Sequence, residues 1–106
     1  MSGGPAVRIA RGAVYLPAAV CARYFPGIGA VILLIRDGAL QVLPVHHAAA
    51  GGCLLKIRTA AGDRVAAAPD VFLAAGLEDL EAADLPAHWS SEFGGLIVPL
   101  PLKSAN

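Results

Sequence analysis

Ionic side chains are scarce in this chain. Lys and Arg number eight, Asp and Glu eight, so only 15% of its 106 positions are charged and the formal net charge is zero. Aromatic residues are also few, at 6%, with a single Trp, and the cysteines are two, Cys21 and Cys53. Each shortage excludes something. Two cysteines make no disulfide scaffold, and reduced thiols are expected. The longest aliphatic run, Ala30 to Ile35, stops at Arg36, far short of the about 20 residues that a membrane-spanning helix needs. Met1-Ser2-Gly3-Gly4-Pro5 has no apolar core of a signal peptide. A cytoplasmic location without membrane contact is therefore expected.

What is abundant is apolar and mostly small. Hydrophobic residues are 57% of the chain, enough to bury a core and to exclude disorder as the main state. The length fits one domain, residues 1–106. Charge balances overall but not along the chain. Residues 1–67 carry seven basic side chains against Asp37 and Asp63, a net of +5. Residues 68–106 carry Lys103 against six acids, Asp70, Glu78, Asp79, Glu81, Asp84 and Glu92, a net of −5. The halves can attract each other, within one molecule or between two copies.

The pattern along the chain predicts an α+β fold. Ala6 to Ala10 and Ala13 to Leu16 read as strands around an Arg11-Gly12 turn. Pro17 suits the first turn of a helix running to about Phe25, because its fixed φ is helical and its missing N–H had no partner there anyway. Ala30 to Ile35 is a strand whose lack of alternation suggests burial on both faces. Asp37-Gly38 is a strong hairpin signal, and the returning strand meets Pro44, which cannot donate to a ladder, so it is an edge or ends there. Cys53 to Thr59 and Arg64 to Ala67 read as further strands. Pro69 heads a second helix, to about Ala75, with Val71, Phe72 and Ala75 inward and Gly76 as its stop. Glu78 to Asp84 is expected to add an acidic helical turn or two, and Leu96 to Leu100 a last strand.

Two stretches, residues 6–45 and 53–100, share a plan: strand, Gly turn, short strand, Pro-headed helix, Gly stop, apolar strand. A ββα unit of this size cannot bury its own apolar face. Two of them predict a small, mainly antiparallel β-barrel or sandwich with helices near 17–25 and 69–75. Gly12-Ala13-Val14-Tyr15-Leu16-Pro17-Ala18-Ala19-Val20-Cys21-Ala22-Arg23 followed by Asp37-Gly38-Ala39-Leu40-Gln41-Val42-Leu43-Pro44 resembles the swapped-hairpin (AbrB-like) domain, found in double copy in MraZ-type proteins. The resemblance implies that fold, an intertwined dimer and DNA binding. It departs at Ala13, where the family has Arg, and at Ala68-Pro69-Asp70, where basic residues would help.

Candidate sites are sparse. No phosphate loop, dinucleotide fingerprint or nucleophile elbow is present, so neither catalysis nor a cofactor is expected. His88, Ser90, Ser91 and Glu92 are neighbours in sequence, which does not make a triad. His46, His47 and Cys53 have metal-ligating chemistry for zinc or copper. Arg8, Arg11 and Arg23 can converge on phosphates, although the sequence pI of 6.8 is low for a nucleic-acid domain. With so few charges, contiguous apolar surface is expected to remain and to bind protein. Arg23, Tyr24, Phe25 and Trp89 are of the types that anchor interfaces. The leading expectation is a non-enzymatic binding or assembly protein, a homodimer acting through an apolar surface. A swapped-hairpin transcription regulator and a metal-handling accessory are the alternatives.

Overall fold

The computed structural model describes residues 5–46 and 52–101. Strands β1 (Ala6–Ala10) and β2 (Ala13–Leu16) form the first hairpin and lead into helix α1 (Ala18–Tyr24). A second hairpin, β3 (Ala30–Arg36) and β4 (Ala39–Pro44), follows. The short strands β5 (Cys53–Leu54) and β6 (Lys56–Ile57) precede β7 (Arg64–Ala67) and helix α2 (Pro69–Ala74). The chain ends with β8 (Glu81–Pro86), β9 (His88–Ser90) and β10 (Gly95–Pro99).

The strands build two antiparallel five-stranded sheets. Sheet A has the order β6-β7-β2-β1-β8 and sheet B the order β5-β3-β4-β10-β9. Among the described residues the strands form no single closed barrel. The chain instead passes from sheet to sheet at two corners. Leu55 is the buried bend between β5 and β6, and Ala87 the buried bend between β8 and β9. The β1–β2 and β6–β7 hairpins meet through the β2–β7 ladder. The β3–β4 and β9–β10 hairpins meet through the β4–β10 ladder. Residues 6–44 and 53–99 thus complete each other's sheets within one chain.

Both tight turns form as their residues dictate. Arg11-Gly12 and Asp37-Gly38 each place two consecutive residues at positive φ, 53° and 74°, then 56° and 76°. That conformation matches the twist of the flanking strands. The inward faces of both sheets meet in one apolar cluster, with Ile9, Val14 and Ala66 from sheet A and Val31, Leu40, Val42, Leu96 and Val98 from sheet B. Phe25, at the end of α1, and Phe72 of α2 are its largest side chains and are fully buried.

Four expectations need correction. Glu78 to Asp84 is not an acidic helix: from Glu81 the chain is strand β8, because Pro86 disfavours helix in the residue before it and the open edge of β1 takes the segment's hydrogen bonds. Cys53 to Thr59 is not one strand, because it bends at Leu55 to join both sheets. β3 is not buried on both faces; it alternates, and Leu34 is exposed. Ala75 is exposed rather than inward.

Candidate functional site

Each helix is held by the turn of the other half. The Ala18 N–H at the start of α1 donates to Asp63 Oδ1 at 2.7 Å, and Thr59 Oγ1 donates to Asp63 Oδ2 at 3.0 Å. Pro17, the residue before α1, makes no side-chain cap, so Asp63 supplies it from 45 residues away. At α2 the Ala68 N–H donates to the Gly12 carbonyl at 2.9 Å. These two hydrogen bonds lower the Asp63 pKa below the usual carboxylate range, the Ala18 N–H first and the Thr59 hydroxyl second. A carboxyl whose pKa falls on folding stabilises the protein above its unfolded pKa and loses that stabilisation as pH falls through the folded value. Asp63→Ala is therefore expected to lower the melting temperature at pH 7. The gap to the parent protein should shrink below about pH 4, as thermal melts across pH will show.

Arg64 has a comparable anchoring task. Its Nη1 donates to the Ile28 carbonyl at 2.7 Å, tying β7 to the loop between α1 and β3. Cys21 is buried, and burial pushes its thiol up against the opposing pull of Arg64. The thiol donates weakly to the Leu16 carbonyl at 3.6 Å and packs in the core.

The anchor residues do come together, but on one another. The Tyr24 and Trp89 rings stack at 5.4 Å with an interplanar angle of 2°, and Phe25 meets Trp89 edge-on at 6.3 Å. The Arg23 guanidinium stands 5.3 Å from the Tyr24 ring centroid. This cluster seats the end of α1 on β9, and Phe25 within it is core.

The three arginines have different neighbours. Arg23 lies on Tyr24, and Arg11 is in the β1–β2 turn. Arg8 instead shares the Tyr15 ring with Arg58, their guanidinium carbons 4.0 and 4.9 Å from its centroid. Arg58 follows β6, in the other half of the chain. A groove of about 300 Å³ beside this ring is lined by Arg8, Tyr15, Arg58, Asp63 and Asp84 among others. Two guanidiniums and two carboxylates thus share one groove.

Strand register extends this site into a row across sheet A. Lys56 pairs with Val65, Val65 with Tyr15, and Tyr15 with Arg8. The Arg8 position on β8 is a bulge, where Ala83 and Asp84 lie between the pairs Val7–Leu85 and Ile9–Ala82. Asp84 takes a φ of 56° there. Directly opposed residues share a face, so this row lies outward while Ile9, Val14 and Ala66 point into the core. Arg8, Lys56, Ala83 and Asp84 are exposed, and Tyr15 and Val65 half-buried.

Other candidates are less organised. His46 lines a cavity of about 430 Å³ with Gly27, Gly29, Ala30, Val45, Gly52 and Leu54, and Cys53 is half-buried on β5. His47 lies outside the described residues. Among the described residues no three His, Cys, Asp or Glu side chains converge as metal ligands. Ser90 Oγ accepts the Phe93 N–H at 3.2 Å, within the β9–β10 turn. Leu54 and Ile57 flank the Leu55 corner at 65% and 70% exposure. No helix among the described residues is long and apolar enough to cross a membrane. No protein-family model, curated protein or solved structure matches the chain.

Proposed function

We propose that this protein is a non-enzymatic binding module that works through protein contact, with the outer face of sheet A as its contact surface. One observation carries the reading: an exposed sheet face centred on Tyr15 holds charges of both signs in balance, Lys56, Arg8 and Arg58 with Asp63, Asp84 and Glu81. A polyanion site needs an excess of converging cations, because each carboxylate repels the phosphates that the guanidiniums attract. A mixed face with an aromatic centre suits a protein surface of complementary pattern. Leu54 and Ile57 at the adjoining corner add apolar area.

A swapped-hairpin regulator is the second reading. Its support is that Arg8 and Arg58, from the two halves of the chain, meet on one aromatic ring, a combination of cation and π-face that nucleic-acid proteins use. The two readings part in a single experiment. A photo-reactive residue placed at Val65 is expected to cross-link protein, and the parent chain is expected to pass a heparin column unretained at about 0.1 M salt. Salt-sensitive retention that Arg8→Ala and Arg58→Ala abolish would instead establish the regulator.

A further inference from the structure

We infer that the partner for the outer face of sheet A is a second copy of this chain, the two faces stacked about a two-fold axis parallel to the strands. The inference rests on the contact-face reading and names its occupant. The row Lys56–Val65–Tyr15–Arg8–Asp84 crosses the whole face. Lys56 is at one edge of sheet A, on β6, and Asp84 at the other, on β8. Four interstrand steps separate them, about 19 Å. That is roughly two Debye lengths at 0.1 M salt, so the two edges do not neutralise each other within one molecule.

A two-fold axis along the strand direction reverses the order of strands across the sheet and leaves each position along the strands unchanged. Strand β6 of one copy then lies over β8 of the other, and the reverse holds at the opposite edge. Because all members of the row share one level along the strands, Lys56 of each copy meets the other's Asp84. Tyr15 meets Tyr15 on the axis, and Arg8 meets Val65. Both charged contacts form at once, and the interface closes as a dimer rather than running on as a fibre. The groove beside Tyr15 brings Arg8 and Arg58 together with Asp63, and Asp84 lines its β8 side.

Size sets the expected strength. A face five strands wide, with strands two to six residues long, offers about 350 Å² per copy, against about 800 Å² per partner in a stable complex. The dimer is therefore weak and owes much of its affinity to charge.

Sedimentation velocity over a concentration series, at about 0.05 M and about 0.5 M salt, tests this. The result expected is a reversible dimer at low salt that dissociates at high salt. Lys56→Glu and Asp84→Asn should each weaken it by about tenfold or more. Both positions are exposed, and Asn tolerates the positive φ at position 84. Leu73→Ser, at an exposed position on α2 outside the row, should leave it unchanged. A chain that stays monomeric at low salt up to about 1 mM overturns the inference, while the contact-face reading survives if the Val65 cross-linker captures a different protein and fails if it captures none. A dimer indifferent to salt and to Lys56→Glu overturns it as well, and places the self-contact on another surface.

Discussion

Phe72→Ala is expected to cost about 3–5 kcal/mol of folding stability. Phe72 is fully buried in the cluster that both sheets share. Its ring belongs to α2, and truncation leaves a void in that cluster. Helix α2 is only six residues long, too short to hold itself in water, so its place depends on this side chain. The neighbouring Leu73 is 59% exposed. Leu73→Ala on the same helix is expected to change stability by no more than about 0.5 kcal/mol. Urea denaturation of the two variants, compared with the parent, gives both numbers. A domain of this size has about 5–15 kcal/mol in all, so Phe72→Ala should also populate unfolded chain measurably at 37 °C.

Gly12→Ala is expected to be nearly as damaging, for a reason that burial alone does not reveal. Gly12 has a φ of 74°, and an added Cβ would lie 2.8 Å from the Pro69 Cα. The obstacle is backbone at the start of α2, which has no rotamer to yield. The cost combines about 1 kcal/mol of left-handed strain with displacement of a helix start that also loses its Ala68-to-Gly12 hydrogen bond, in all about 2–4 kcal/mol. Gly27 is the control. Its φ is 70°, and an added Cβ would meet nothing within 4 Å. Gly27→Ala should show the strain alone, about 1 kcal/mol. The difference between the two variants measures how tightly the first turn is pressed on the second helix.

Local chemistry was legible in the sequence; long-range partnership was not. Arg11-Gly12 and Asp37-Gly38 announce their turns because few residues accept positive φ. Pro17 and Pro69 announce the two helices, and Pro44 the end of β4. Gly76, with a φ of 74°, closes α2 as its position suggests. Each of these is a constraint inside a few residues. Glu78 to Asp84 reads as helix because Ala and Glu favour helix in isolation, whereas the vacant edge of β1 draws Glu81–Pro86 into the sheet. The bend at Leu55 is set by two sheets competing for one segment, which no short window contains.

The site shows the same division. The sequence groups Arg8 with Arg11 and Arg23 as phosphate-facing cations, but its companion on Tyr15, Arg58, lies 50 positions away and reaches that ring only through the β6–β7–β2 ladders. Asp63 carried no signal of its capping task, since Thr59 is local but Ala18 is not. By residue type Tyr24, Phe25 and Trp89 read as interface anchors, and in the fold their rings pack on one another. Type alone does not say that they would be spent on each other, holding α1 against β9.

Neither half of the chain completes a sheet by itself. Turn and helix are exchanged between halves at Gly12 and Pro69 and at Asp63 and Ala18, and the β2–β7 and β4–β10 ladders join them. Native-state hydrogen exchange tests this most directly. Amides of β2, β4, β7 and β10 should open together, with one free energy equal to that of global unfolding. Two separate opening energies, one for residues 6–44 and another for residues 53–99, would contradict it.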